Sequence, residues 1–161
     1  MVTWRTALPS DEPARILLDQ YFTARAHGFP AGPDAYRRTV PDDAEFTPPA
    51  GVFLLVEGEN LSGEPADVGC GGVRRIADSA LGPRFEVKHL WVQPHTRRLG
   101  YGRALMEELG RRARELGGVE LVLDTNESLE AAGALYRSLG YAPIAPYNDN
   151  PNATTWLGRA L

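Results

Sequence analysis

The chain of 161 residues is long enough to bury one sizeable core and short for two, so we expect a single domain over residues 1–161. Hydrophobic residues make up 43% and charged residues 24%, as in ordinary globular proteins, while a net charge of −4 argues against a nucleic-acid-binding protein. The one cysteine, Cys70, cannot form an internal disulfide, and no cysteine cluster is available to hold zinc, so no metal is predicted.

The N-terminal sequence and the cysteine content both favour a cytoplasmic protein. The first twenty residues have no long apolar core and are acidic early, unlike a secretory signal peptide. No stretch approaches the roughly 18 apolar residues that a membrane span needs, so no membrane partner is expected. A lone cysteine fits a reducing compartment.

The first third of the chain predicts a strand, a helix and an irregular segment. Residues 2–8 fit a short strand, and an apolar stripe follows between Ser10, a candidate N-cap, and Gly28, a candidate helix end. Residues 29–50 carry five of the thirteen prolines, which indicates a binding wall or lid with a short helix near "DAYRR". Residues 51–59 and 66–77 then fit a β-hairpin.

The rest of the chain alternates strands and helices. The strand at 84–92 should place Phe85, Val87, His89 and Trp91 on one face and Glu86, Lys88, Leu90 and Val92 on the other. Helices are predicted at 100–116 and 128–140, around a central apolar strand at 119–125. Two final strands follow, at 141–147 and 153–161. This order predicts a mixed α/β sheet with helices on both faces.

A glycine-rich turn between a strand and a helix, "HTRRLGYGRAL" at 95–105, predicts a phosphate cradle. Backbone N–H groups at a helix start are unsatisfied and partly positive, and glycines let a ligand approach them closely. The turn is not a P-loop, because Arg103 follows Gly102 where a lysine would be needed. It is not a dinucleotide fingerprint, because Leu105 replaces the third small residue.

The pattern Arg-x-x-Gly-x-Gly from Arg97 to Gly102, after a strand that ends in Leu90-Trp91-Val92, resembles the acetyl-CoA-binding segment of the GNAT family of N-acetyltransferases. The stretch "LYRSLGYAPI" at 135–144 is similar to the second signature of that family. The resemblance implies the GNAT acyl-CoA N-acyltransferase fold, in which the central strand pair is splayed.

The resemblance also implies acetyl-CoA as cosubstrate, without a metal. Backbone groups of Leu90 and Val92 would bind the pantetheine arm, and N–H groups of residues 98–103 would bind the pyrophosphate. An asparagine of the family falls at Leu129 here, so Asn126 is the candidate cofactor contact, or else it shapes the turn. The implied cofactor-binding residues are Leu90, Trp91, Val92, Arg97, Arg98, Leu99, Gly100, Tyr101, Gly102, Arg103 and Asn126.

Two residues are candidate catalytic groups. Tyr136 lies where the general-acid tyrosine of the family lies and would protonate the leaving thiolate; the alternative is a core tyrosine. Glu86 is the candidate base. The alternative is that a relay of water accepts the proton and that Glu86 is a structural or solvent-facing carboxylate. The backbone N–H of Val92 is the candidate oxyanion donor. His89 is expected to be packed on the face opposite Glu86.

The predicted reaction is direct transfer of an acetyl group from acetyl-CoA to a primary amine of a small molecule in a ternary complex. Two alternatives remain open: a non-catalytic acyl-CoA-binding or sensing domain of the same fold, and a peptide or protein N-acetyltransferase. Homodimerisation also stays open. Asp42, Asp43 and Asp149 would suit a cationic acceptor. The candidate acceptor contacts are Tyr21, Tyr36, Tyr147, Asn148, Asp149 and Asn150.

Overall fold

The protein consists of one mixed β-sheet covered by helices on both faces. The computed structural model describes all 161 residues. The strands are β1 (Thr3–Thr6), β2 (Gly51–Glu59), β3 (Pro65–Ser79), β4 (Gly82–Val92), β5 (Glu120–Thr125), β6 (Ala142–Pro143) and β7 (Thr155–Ala160). The helices are α1 (Glu12–His27), α2 (Tyr101–Glu115) and α3 (Glu130–Ser138). None of them is both long enough and apolar enough to cross a bilayer.

The strand order is β1-β2-β3-β4-β5-β7-β6, and every neighbouring pair is antiparallel except β4 and β5. Helix α2 makes the crossover that a parallel pair requires. The predicted mixed α/β sheet is therefore confirmed. Because β4 and β5 are parallel, their C-terminal ends lie at the same end of the sheet, and α2 begins there as well.

Two apolar cores lie on the two faces of the sheet. On one face, α2 and α3 pack against alternate residues of the central strands, and Phe85, Leu105, Leu109 and Leu121 are fully buried there. On the other face, α1 packs with Leu17, Leu18 and Phe22, together with Phe53, Leu55 and Cys70 of the sheet. Helices on both faces are thus confirmed, and Cys70 is a buried free thiol.

The structure corrects one local prediction in the first fifty residues and confirms another. The N-cap of α1 is Asp11, not Ser10, whose hydroxyl instead donates to the carboxylate of Asp43 at 2.5 Å. The short helix predicted near "DAYRR" is present as a 3-10 helix at Pro33–Ala35, and a second 3-10 helix follows at Asp43–Phe46. Phe46 anchors the segment because its ring is 2% exposed and packs edge-on to Phe53.

A β-bulge in β4 overturns the predicted alternation of that strand. Gly72 pairs with Lys88 but Cys70 pairs with Trp91, so β4 has one extra residue here, and His89 adopts a positive φ of 58°. Phe85 and Val87 face α2, whereas the rings of His89 and Trp91 face α1, on the same side as Glu86. The predictions that His89 lies opposite Glu86 and that Leu90 shares its face are wrong, because the bulge shifts the period by one.

The parallel pair β4–β5 separates after a short contact. Pairing covers only Arg84–Glu120, Phe85–Leu121 and Glu86–Val122, although β4 continues to Val92 and β5 to Thr125. Beyond this point β4 pairs only with β3, and β5 pairs only with β7. The splayed central strand pair is confirmed, and it leaves a gap in the middle of the sheet.

Candidate active site

A cavity of about 320 Å³ lies where β4 and β5 separate. Its floor comes from the two strands, and its walls come from α1, α3, the Pro-rich segment and the turn before β7. The lining residues are Tyr21, Phe22, Arg25, Tyr36, Arg37, Thr39, Val40, Pro41, Glu45, Arg74, Val87, Lys88, His89, Leu90, Leu123, Asp124, Thr125, Tyr136, Asn148, Asn150, Pro151 and Asn152. Residues 29–50 therefore contribute a wall, as their composition predicted.

Tyr136 of α3 lies in the cavity wall and is 8% exposed. Its hydroxyl has no hydrogen-bond partner within the protein, although its ring packs edge-on to Tyr141 with 6.3 Å between centroids. Burial raises the pKa of Tyr136 to about 12, and the positive charge of Arg25 partly opposes that rise. The phenol is therefore protonated over the whole physiological range and is free to donate a proton or a hydrogen bond into the cavity.

Asp124 supplies a carboxylate to the same cavity from the end of β5. Lys88 Nζ lies 3.3 Å from Asp124 Oδ1, and the side-chain amides of Asn148 and Asn150 donate to Oδ2 at 2.7 and 3.1 Å. Burial alone would raise the pKa of Asp124, but Lys88 and the two amides outweigh it and hold the pKa below its usual value. Asp124 is thus a fixed anion at neutral pH.

Glu86 lies beneath the cavity and is not part of its lining. The side chain is fully buried, and both of its oxygens are engaged. Arg74 Nε donates to Oε1 at 3.0 Å, the Tyr147 hydroxyl donates to Oε2 at 2.6 Å, and Lys88 Nζ lies 3.4 Å from Oε2. This carboxylate fixes the positions of three side chains around the cavity.

His89 is neutral in this environment. Its ring packs against Tyr21, Phe22 and Phe46, and its Nδ1 is buried without a hydrogen-bond partner. Burial, together with the positive charges of Lys88 and Arg74, lowers its pKa to about 3. The bulge that carries His89 also redirects the backbone of residues 89–92 toward the gap.

The structure separates the candidate acceptor contacts into two groups. Tyr21, Tyr36, Asn148 and Asn150 line the cavity. Tyr147 is outside the lining, since its hydroxyl is bound to Glu86. Asp42, Asp43 and Asp149 are also outside it: Asp42 caps a 3-10 helix, and Asp43 binds Ser10. The acidic group that faces the cavity beside Lys88 is instead Asp124.

Two hydrogen bonds close one side of the cavity. The backbone N–H of Arg37 donates to Asn152 Oδ1 at 3.0 Å, and Asn152 Nδ2 donates back to the Arg37 carbonyl at 2.7 Å. Asn152 is 8% exposed, so this pair is shielded from water. It joins the Pro-rich segment to the turn before β7, two segments that are 115 residues apart in the chain.

The glycine-rich turn presents free backbone donors. None of the N–H groups from Arg98 to Arg103 donates a hydrogen bond within the protein. The first hydrogen bond of α2 runs from the Ala104 N–H to the Gly100 carbonyl, so the N–H groups before it have no partner. Arg98 and Gly100 have positive φ values of 64° and 86° on either side of a residue with negative φ. This alternation makes a concave anion-binding arrangement at a helix N-terminus.

The side chains of the turn differ in their freedom. The Arg97 guanidinium lies 5.0 Å from the centre of the Trp91 ring, and its Nε donates to the Val92 carbonyl at 3.2 Å. Arg103 donates to Ser138 Oγ at 2.7 Å. Arg98 forms no ion pair, and Leu99 is 67% exposed. Tyr101 packs inward against the core.

The end of β4 presents unpaired backbone to the gap. Gln93 N–H donates to Val68 of β3, and alternation along the strand then turns the N–H groups of Leu90 and Val92 toward the β5 side. Leu90 also lines the cavity, whereas Trp91 lies on the α1 face and donates from Nε1 to Gln20 at 3.2 Å. The gap therefore connects the turn at 97–103 with the cavity.

Asn126 lies outside the cavity lining and is 5% exposed. Its Nδ2 donates to the Asn152 carbonyl at 3.1 Å, and its Oδ1 accepts from the Ser128 N–H at 3.0 Å. Both ends of its amide are thus engaged in shaping the loop between β5 and α3. These two hydrogen bonds are those of a residue that shapes a turn.

Sequence reasoning did not point to the six charged residues of the cavity, which are Arg25, Arg37, Glu45, Arg74, Lys88 and Asp124. A usable signal existed for Asp124 and Lys88, because each is a charge within an otherwise apolar strand. Arg25 gave no such signal, because it lies in the last turn of a helix, where a charged residue is expected to face solvent. No group of three or more metal-binding side chains is present.

Three features together are typical of the acyl-CoA N-acyltransferase fold: the splayed parallel pair, the free N–H groups of the turn and the cavity beside them. A family model described as "Acetyltransferase (GNAT) domain" matches residues 49–143. The chain belongs to the GNAT acetyltransferase family. It is 33% identical over 107 residues to an uncharacterized N-acetyltransferase of Schizosaccharomyces pombe, covering 66% of this chain and 61% of that protein.

Further relatives agree on the family. An IAA acetyltransferase of Azospirillum brasilense is 37% identical over 87 residues, covering 52% of this chain and 55% of that protein. The chain thus spans little more than half the length of these curated relatives. An acetyltransferase structure from Streptococcus agalactiae superposes with a TM-score of 0.75 at 18% identity, covering 99% of this chain and 98% of that one. At this identity the likeness concerns the fold alone.

Proposed function

We propose that this protein transfers an acetyl group from acetyl-CoA to a primary amine of a small molecule, directly and within a ternary complex. The observation that carries the proposal is the gap between β4 and β5. It has free N–H groups of residues 98–103 at one end, and Tyr136 and Asp124 face the cavity at the other. The gap thereby joins an anion-binding element to a cavity that contains a proton donor, Tyr136, and an anionic anchor, Asp124.

In this proposal the pyrophosphate of acetyl-CoA binds to the N–H groups at the start of α2, and Arg98 adds positive charge. The pantetheine arm lies along β4 in the gap and bonds to the free backbone N–H of Val92, as an added strand would. The thioester then lies beside Tyr136. Trp91 and Arg97 support the loop from below through their stacked contact.

The chemistry requires one bond to form and one to break. The amine nitrogen attacks the thioester carbon, and the backbone N–H of Leu90, which lines the cavity, stabilises the developing oxyanion. As the C–S bond breaks, Tyr136 donates its proton to the sulfur, the nitrogen of the tetrahedral intermediate releases its N–H proton to water, and the Tyr136 phenolate recovers a proton from solvent. No covalent intermediate on the protein is invoked, because the cavity lining contains no cysteine and no serine.

The proton of the incoming ammonium leaves through water in this proposal. Glu86 is fully buried and already bound by Arg74, Tyr147 and Lys88, so it is a positioning residue. Asp124 has a lowered pKa, which makes it a weak base but a good anchor for an N–H group. The acid limb of the rate profile should then follow the pKa of the acceptor amine.

A small acceptor is favoured over a peptide. A peptide substrate needs a groove open at both ends, whereas the Arg37–Asn152 hydrogen bonds join two walls of the cavity on one side. A volume of about 320 Å³ lies at the small end of the range for small-molecule sites. These features support a small amine as the acceptor.

The test is release of free CoA thiol from acetyl-CoA with a panel of small amines, amino acids, polyamines and short peptides. Tyr136→Phe should lower kcat by about 100-fold or more, the usual effect of losing a general acid. Its hydroxyl makes no bond within the protein, so the melting temperature should stay close to that of the parent chain. Tyr141→Phe is the matched control, because this tyrosine is also buried but lies outside the cavity lining.

Three outcomes would each contradict part of the proposal. Acetyl-CoA binding by calorimetry without turnover on any amine would favour the acyl-CoA-binding or sensing domain. Equal kcat values for Tyr136→Phe and Tyr141→Phe would remove the general-acid role. If the acid limb of the rate profile lay at the same pH for two acceptors whose pKa values differ by about two units, the base would be a protein group, Glu86 or Asp124.

A further inference from the structure

Arg25 is a cation of the acceptor cavity that no carboxylate of the protein neutralises. The cavity wall also contains Arg74, which is paired with Glu45 and Glu86, and Lys88, which is paired with Glu86 and Asp124. Arg25 has no ion pair and donates no hydrogen bond, although it is half-buried in the last turn of α1. An arginine is permanently charged, so its charge in the cavity is available to a ligand.

Two tyrosines hold the Arg25 guanidinium in place. Its central carbon lies 5.9 Å from the ring centre of Tyr21 and 6.0 Å from that of Tyr36. Stacking on aromatic faces leaves the N–H edge of the guanidinium free and limits its side-chain motion. A planar fork fixed in this way matches the two oxygens of a carboxylate.

The charges of the cavity also discriminate between classes of amine. The lining includes four cations, namely Arg25, Arg37, Arg74 and Lys88, but only two anions, Glu45 and Asp124. A polyamine or another multiply cationic acceptor would meet an excess of positive charge here. A ligand with one ammonium and one carboxylate would match Asp124 on β5 and Arg25 on α1.

We propose that the acceptor is an amino acid in the broad sense, a primary amine that also carries a carboxylate, and that Arg25 binds the carboxylate. This inference rests on the proposed function, because it assigns the acceptor of the same cavity. Asp124 orients the amine and Arg25 the acid group, so the acceptor binds in one direction.

The experiment compares matched acceptors with and without the acid group, namely α-, β- and γ-amino acids and their decarboxylated amines, in the thiol-release assay. The carboxylate-bearing member of the best pair should have a kcat/KM at least about 10-fold higher. Arg25→Gln should reduce kcat/KM for that member by about 10- to 100-fold more than for its decarboxylated partner, mainly through KM. Arg25→Lys should restore part of the loss.

Arg15→Gln is the matched control, since this arginine is exposed on the same helix and lies outside the cavity lining. The proposal is overturned if the decarboxylated amines are equally good acceptors, or if Arg25→Gln affects both members of each pair alike. It is also overturned if the variant raises only the KM for acetyl-CoA, because Arg25 would then contact the cofactor.

A binding measurement keeps the inference separate from the proposed function. The amino acids are titrated calorimetrically into the parent chain and Arg25→Gln, each saturated with CoA. Binding to the parent chain that is lost in the variant supports the carboxylate site even if no turnover is found. Absence of binding by any amino acid refutes the carboxylate site, even if plain amines are acetylated.

Discussion

Gly100 is the residue on which we expect the sharpest separation of ligand binding from stability. It precedes α2 with a φ of 86°, and a Cβ placed on it would meet no protein atom within 4 Å. An alanine here would therefore be strained only by its backbone conformation, at about 1–2 kcal/mol. The methyl group would instead enter the open space beside the turn, where we propose that the pyrophosphate binds.

The same helix provides a matched position at its other end. Gly117 has a φ of 94°, and a Cβ there would also meet nothing within 4 Å. Gly100→Ala and Gly117→Ala should therefore lose similar stability, with each kcal/mol lowering the melting temperature by about 2–4 °C in a chain of this size. Any difference in cofactor binding between the two variants then cannot be ascribed to strain.

Only Gly100→Ala should weaken binding of CoA. Losing one charge-assisted hydrogen bond from a backbone N–H to a phosphate is worth about 1.5–3 kcal/mol, or about a 10- to 100-fold rise in Kd. Calorimetric titration with CoA measures this effect without an acceptor. The reasoning is refuted if both variants bind CoA like the parent chain, or if Gly117→Ala weakens binding to the same extent.

Three further predictions concern the groups around the cavity. Glu86→Gln leaves two partly buried cations, Arg74 and Lys88, with fewer partners. The resulting loss of about 3 kcal/mol should lower the melting temperature by about 6–12 °C without moving the acid limb of the rate profile; an unchanged melting temperature would contradict the positioning role. Asn152→Ala removes both hydrogen bonds to Arg37 and should raise KM for the best small acceptor while admitting bulkier amines, so an unaltered acceptor range would contradict the closed wall. Because the pKa of Asp124 is lowered in the folded state, its contribution to stability is present above the unfolded pKa of about 3.9 and is lost as the pH falls through the lower folded pKa. The difference in unfolding free energy between Asp124→Asn and the parent chain should therefore be largest near neutral pH and disappear in acid, and a gap independent of pH would contradict it.

The element order could be predicted from the sequence because each element has a clear period and clear ends. The strand at 120–125 contains an apolar run from Leu121 to Leu123, and the helix at 101–115 keeps its apolar residues on one face. The splayed pair came from the family resemblance and not from periodicity, since no residue of β5 indicates where its pairing with β4 ends.

The errors have local physical causes. Ser10 and Asp11 are both good N-cap residue types, and only the fold selects Asp11 by giving Ser10 a partner in Asp43. The bulge at His89 adds one residue to a strand whose composition gives no sign of it, and this single insertion reverses the faces of Leu90 and Trp91 relative to the prediction.

Only part of the candidate site could be predicted from the sequence. The turn at 97–102 is contiguous, so its role as an anion-binding element could be argued from neighbouring residues alone. The acceptor cavity is assembled from segments far apart in the chain, such as Arg25 on α1 and Asp124 on β5. Which charges remain unpaired there depends on long-range ion pairs that only the fold creates.

The gap between β4 and β5 also bears on how long the protein survives in a cell. Only three residue pairs connect the two halves of the sheet, from Arg84–Glu120 to Glu86–Val122. A ligand that fills the gap binds the folded chain and not the unfolded one, so it adds about 2.7 kcal/mol of stability at a concentration one hundred times its Kd. The proposed cofactor would thereby act as a missing strand, and the resistance of the protein to proteolysis would rise and fall with the acyl-CoA supply.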